Sequence, residues 1–226
     1  MTKLLQLIII GTALGAIYGL LALGFTLVYK ATKVFNFAHG DLMMLGAYVL
    51  VSFSVTDFQL SPWVAIPLTL AASIPLGILF QFFFVRPLIG QPFLPVVMAT
   101  IGAALIIQAG IQIYWGVIEI PYQTVFPSRV FDAGGVRISS FDLITIGVAA
   151  VCVALFALFF RLTNLGLQMR AAAENNEAAI LSGINVHRVS LVAWGIGTLL
   201  AFVAGIILAN AQGAVTFSLP GLALLA

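Results

Sequence analysis

Long runs without a single charged residue govern what this chain can become. They cover residues 4–29, 42–56, 58–85, 87–118, 143–160 and 189–226, with lengths of 26, 15, 28, 32, 18 and 38 residues. A helix needs about 20 apolar residues to cross ~30 Å of hydrocarbon. Lipid offers no hydrogen-bond partner to the backbone, so spanning segments must satisfy it internally, as helices do. Charged residues make up only 7% of the chain, against roughly 25% in a soluble domain. The sequence therefore predicts an all-α polytopic membrane protein with at least six transmembrane helices, forming one domain over residues 1–226. The spans fall near 5–28, 38–57, 63–84, 94–115, 142–160 and 189–210. The charge-free part of the second covers only ~22 Å at 1.5 Å per residue, so its helix starts near Asn36 or is partly re-entrant.

Sidedness follows from the cations. Lys30, Lys33, Arg86, Arg161, Arg170 and Arg188 fall in the loops on one side, whereas Lys3, Arg129 and Arg137 fall on the other among Asp57, Glu119, Asp132 and Asp142. The excess of Lys and Arg marks the cytoplasmic side. This places the N-terminus and the 119–142 loop outside and the 161–188 loop in the cytoplasm. The first oily run exceeds the 7–15 residues of a signal-peptide core and lacks an A-x-A site, so it is expected to remain as a span. The last residues, FSLPGLALLA, stop in apolar sequence. The native sequence is expected to continue beyond them, leaving the chain truncated at its C-terminus.

Several chemistries are excluded. No GxxxxGK[ST] occurs, and no lysine follows Lys33; a P-loop nucleotide site needs both. His39 and His187 are far apart and Cys152 is the single cysteine, which argues against a zinc site and makes Cys152 a packing residue. The scattered cations form no nucleic-acid patch. His39-Gly40-Asp41 lacks the second intramembrane aspartate of an aspartyl protease. All charges are expected at span ends, which weighs against a proton-coupled carrier.

Small residues recur every fourth position: Gly11, Gly15 and Gly19 in the first span, and Ala193, Gly197, Ala201, Gly205, Ala209 and Gly213 in the last. Such ladders let helix backbones approach closely. Both are expected to pack helices, or to let them slide. Pro67 and Pro75 are expected to kink the third span. In the fourth, Thr100, Ala104, Gln108 and Gln112 share one helical face. They either bond across helices or line a substrate pathway with neutral polar groups. Asn36 or Asp41 is expected to cap the helix of the second span, and the Met43-Met44 pair to pack in the core.

One segment breaks the pattern. RAAAENNEAAILSGINVHR, at 170–188, is alanine-rich and carries acids and amides between two oily runs. Residues 167–182 are expected to form one helix of about four turns, ended by Gly183 at C′, with Arg170, Glu174, Glu177 and Leu181 on one face. Asn185 is placed to cap the last span. Helices lying on lipid are rich in Lys and Arg with large apolar residues; this one suits a groove in another protein.

Glu177-Ala178-Ala179 followed by Gly183 resembles the EAA-x-x-x-G signature of permease subunits in ATP-binding-cassette importers. With RAAAENNEAAILSGINVHRV, the stretch YGLLALGFTLVYKATKVFNFAHGDLMMLGAY is similar to the branched-chain amino-acid permease family of LivH type. The resemblance runs over essentially the whole chain, although that family continues for two or more further helices. It implies a non-enzymatic inner-membrane subunit of bacteria, translocating leucine, isoleucine or valine. Implied partners are a second permease subunit (the same or different), two cytoplasmic ATPases that use ATP and Mg, and a periplasmic or lipid-anchored binding protein received by the 119–142 loop. The chain itself is expected to bind no cofactor or metal. Arg170, Glu174, Glu177, Ala178, Ala179 and Gly183 would couple to the ATPase; Thr100, Gln108, Gln112, Asn36 and Asp41 are the candidate pathway residues. The rivals are the same transporter class carrying urea, short amides or another small amino acid, and a carrier or channel without ATPases.

Overall fold

Apolar runs of more than twenty residues become long helices that cross between two ends of a bundle. The computed structural model describes residues 2–88, 90–122, 130–133 and 136–217. Arg129, the rest of 123–129 and the C-terminal 218–226 lie outside the described residues. Five helices are long and apolar enough to span a membrane: α1 (Thr2–Thr32), α3 (Pro62–Phe80, prolonged by turns to Leu88), α4 (Phe93–Trp115), α5 (Ser140–Leu162) and α8 (Val186–Gln212). The expected sixth span is shorter than these. Helix α2 (His39–Val51) has 13 residues and continues as a π turn over Ser52–Thr56. Eleven of its residues are buried, so protein rather than lipid surrounds it and bilayer thickness does not set its length.

Helix α8 is the axis of the bundle. Of its most apolar stretch 72% is buried, against 11% for α5. It packs on α1, α2 and α3, with Trp194 and Phe202 fully enclosed and Trp194 stacked on Phe80 at 5.2 Å. Small residues make these approaches possible. A Cβ on Gly205 would collide with the Met43 carbonyl of α2, one on Gly46 would lie 2.7 Å from the Phe202 ring, and one on Gly77 2.8 Å from the Trp194 carbonyl oxygen. The ladder in α1 behaves differently. Gly11, Gly15 and Gly19 are exposed, with no described atom within 4 Å of an added Cβ. Among the described residues they pack against no helix. Gly213 leaves the ladder as well: at φ +66° it is the left-handed residue that ends α8.

Helix α3 starts with Pro62 and stays helical through Pro67 and Pro75 before widening into a π turn at Gln81–Val85. The Thr69 and Ser73 hydroxyls donate back to the Ala65 and Leu70 carbonyls, which keeps these groups satisfied away from water.

Hydrogen bonds identify the two ends. At one, Lys33 Nζ donates to the Ala173 carbonyl and Gln81 Nε2 to Ser190 Oγ. At the other, Trp115 Nε1 donates to Ser52 Oγ. There β1 (Ile120–Pro121) pairs antiparallel with β4 (Ala214–Val215), just after α8. The 119–142 region, read from its Pro and Gly content as a loop, also holds a hairpin. In it β2 (Val130–Ala133) pairs with β3 (Val136–Ser139), Asp132 opposite Arg137. The β-formers Val130 and Phe131 and the alternation in VRIS, on either side of Gly134-Gly135 in the sequence, are the hairpin signal that composition hides.

Candidate functional site

Helix α2 begins inside the bundle rather than at its edge. The chain from Val34 to Ala38 is non-helical, yet Val34, Asn36 and Ala38 are each no more than 3% exposed. His39 then meets Gly24 and Gly197: a Cβ on Gly24 would lie 3.0 Å from His39 Nε2 and 3.1 Å from the Gly197 oxygen. Gly24 is eight residues from the end of α1 and Gly197 eleven from the start of α8. At 1.5 Å per residue these are about 12 and 16 Å into the bundle. The N-terminus of α2 is therefore at mid-depth. Irregular backbone is tolerated there only because protein buries it, and the positive end of the helix dipole points into the bundle interior.

Polar side chains gather at this point. Asp41, in the first turn of α2, accepts a 2.7 Å hydrogen bond from Gln108 Nε2 of α4. Thr100 Oγ1 donates to the Phe35 and Val97 carbonyls. Asn36 Oδ1 accepts from the Ala38 amide, which turns the chain into α2; its buried Nδ2 has no hydrogen-bond partner. Neither ring nitrogen of His39 makes a well-formed hydrogen bond, although the Leu21 backbone interacts with the ring electrostatically. Leaving such groups unpaired typically costs ~1–3 kcal/mol each, so the cluster is maintained at a cost to stability.

The arrangement corrects three expectations. The residue before α2 is Ala38, with no side-chain cap; Asn36 shapes the preceding turn and Asp41 turns to Gln108 instead. Charges do not all sit at span ends, because the late start of α2 carries Asp41 to mid-depth. Gln112 does not join the cluster. It is exposed on α4, one turn beyond Gln108, while Ile111 beside it is buried and Trp115 still packs on Tyr48 of α2.

The 164–185 segment at the cation-rich end also departs from one long helix. Asn175 (φ −147°, ψ 105°) divides it into α6 (Asn164–Glu174) and α7 (Asn176–Leu181), and its Oδ1 caps α7 by accepting from the Ala178 amide. Asn favours such caps because its side chain competes with the helical backbone. The break separates residues expected on one face. Arg170 and Glu174 stay one turn apart on α6, both exposed, with Arg170 also lining a groove against α1 and α5, whereas Glu177 and Ala178 are exposed on α7. Ala179 faces the other way, packed among Leu27, Ala172 and Val189. The end of α7 is a Schellman motif: Gly183 (φ +80°) donates to the Ile180 carbonyl and Ile184 to that of Ala179, the two bonds that close this turn. Asn185 Oδ1 then caps α8 by accepting from Arg188. What projects from the bundle is Glu177, Ala178 and two bare aliphatics, Ile180 and Leu181, the latter 89% exposed.

Some polar residues escaped the sequence reading. At the opposite end a pocket of about 430 Å³ between α1, α5 and α8 brings Asp142, Thr145, Asn210 and Gln212 beside Ile10, Leu14 and Ile17. Thr145 Oγ1 is buried there without a hydrogen-bond partner among the described residues. Asp142 and Thr145, three apart on α5, share a face, a signal that was present but sits at the start of an oily run.

Among known proteins, the family model described as the branched-chain amino acid transport system permease component matches residues 7–226. The chain belongs to this permease family. It is 29% identical over 234 residues to the high-affinity branched-chain amino acid transport system permease protein BraD of Pseudomonas aeruginosa, covering 98% of the chain and 75% of that protein. With the corresponding LivH protein of Escherichia coli K12 it shares 26% identity, over 93% of the chain and 72% of the relative. A probable LivH permease of Methanocaldococcus jannaschii is 31% identical over 82% of the chain and 60% of its own length. No solved structure matches the chain. Family and fold agree: the protein is a multi-pass membrane transport permease.

Proposed function

We propose that this permease is the membrane subunit of an ATP-binding-cassette importer for leucine, isoleucine and valine in the bacterial inner membrane. It works with a second permease subunit, two cytoplasmic ATPases and an external binding protein. The carrying observation is the surface of α7. A soluble-facing segment gains nothing by exposing Ile180 and Leu181 beside Glu177 and Ala178 unless another protein covers them. Ala179 and the Schellman turn anchor this surface to the bundle, so a push on α7 reaches α8 through Asn185 and α5 through α6. ATP and Mg act on the partner ATPases, and this chain supplies motion rather than catalysis. The mid-depth start of α2, with Asn36, Asp41, Thr100 and Gln108, is the part of the pathway such rocking would open. Its neutral lining and one paired carboxylate suit a zwitterion. The cargo reading is supported by the names of the relatives.

The test is uptake in vesicles together with copurification of the ATPases. Glu177→Lys, Ala178→Trp and Leu181→Asp should each lower both by at least tenfold, with membrane insertion unchanged. Gly183→Val should do the same by forbidding the left-handed turn. Full uptake by the first three variants would sink the reading.

A further inference from the structure

A groove of about 480 Å³ runs between α1 and α5 and ends under α6. Its floor is α1 from Gly19 to Lys30, with Ala22 and Thr26 between, and its wall is Phe156 and Phe160 of α5. Lys30 and Arg170 stand at its end and Gly19 at its depth. Both cations are exposed, and no acidic side chain lines the groove among the described residues. Eleven residues of helix from Gly19 to Lys30 cover about 16 Å, close to the half-thickness of a ~30 Å hydrocarbon layer. The charge-free part of α1 is centred near residues 16–17, so the groove reaches from the interface to about the bilayer midplane. It is apolar at depth, cationic at the interface and one leaflet long.

We infer that this groove holds one acyl chain of an anionic phospholipid of the cation-rich leaflet, its phosphate between Lys30 and Arg170. Basic recesses between transmembrane helices select anionic headgroups in this way. The absence of bulk at Gly19 and Ala22 gives the acyl chain its room. The bound lipid joins α1 to α6, which Lys33 already ties together through the Ala173 carbonyl. It thereby holds the projecting α6–α7 segment to the bundle, and this inference is independent of the cargo.

The experiment is native mass spectrometry of the detergent-purified transporter, titrated with dioleoyl phosphatidylglycerol or dioleoyl phosphatidylcholine. Phosphatidylglycerol should be retained at least fivefold more than phosphatidylcholine. Lys30→Gln combined with Arg170→Gln should remove that preference, and Ala22→Phe should lower retention of both lipids at unchanged gel-filtration profile. Equal phosphatidylglycerol retention by the wild type and the double variant would overturn the inference. So would displacement of the lipid by millimolar inorganic phosphate, which would mark a site for the anion alone. In a Cys152→Ser background, cross-linking of Ala22→Cys to a second copy would overturn it by showing that protein covers the groove.

Discussion

Helices α1 and α8 carry the same pattern of small residues every fourth position, and the structure uses the two in opposite ways. In α8, Gly197 and Gly205 lie against other backbones: an added Cβ on Gly197 would sit 3.3 Å from the Gly24 oxygen, and one on Gly205 would overlap the Met43 carbonyl. In α1, Gly11, Gly15 and Gly19 face outward over empty space. The small-xxx-small pattern thus marks a helix able to be approached closely and does not say by what. In α8 the answer is the rest of this chain. On α1 the same capacity stays unused among the described residues, and at Gly19 it opens the lipid groove.

Substitutions along the two ladders should separate them. Gly205→Leu should have the largest effect, about 3 kcal/mol or more, because its neighbour is backbone and overpacking there displaces α2 from α8. Thermal unfolding in detergent would show it as loss of the folded monomer. Gly46→Ala should follow at ~1–3 kcal/mol, since the Phe202 ring and Cα lie 2.7 and 2.9 Å from the new methyl and only the ring can move. Ile206→Leu, at a buried position next to Gly205, conserves volume and should cost under ~1.5 kcal/mol. Gly15→Leu should be within about 0.5 kcal/mol of wild type, as for surface positions. Equal losses from Gly15→Leu and Gly205→Leu would erase the contrast. A Gly15→Leu effect found only in the assembled transporter would sharpen it, showing that a partner covers α1.

The 164–185 segment teaches the same lesson at shorter range. Its separateness from the spans was plain from composition, and Gly183 and Asn185 announced the end of one helix and the start of the next. The break at Asn175 was not plain, because ENNEAA is compatible with continuous helix until the Asn175 side chain takes the Ala178 amide. Once it does, Arg170 and Glu177 no longer share a face. The polar cluster divides similarly. Thr100 and Gln108 were legible as one stripe of α4, but that Gln112 of the same stripe stays exposed while Ile111 and Trp115 turn inward was decided by the packing.

The sequence by itself determined the class of this protein, because charge-free runs longer than a bilayer leave the backbone no alternative to helices. It also determined the boundaries drawn by proline, glycine and asparagine, and the family resemblance carried by residues 170–189. Only the tertiary structure decided that α2 starts at mid-depth, that Asp41 and His39 are thereby carried into the core, and that one glycine ladder is buried while the other is bare. Periodicity fixes which residues share a helix face. It carries no information about which faces meet, since in lipid that choice rests on the shape of neighbouring helices rather than on hydrophobicity.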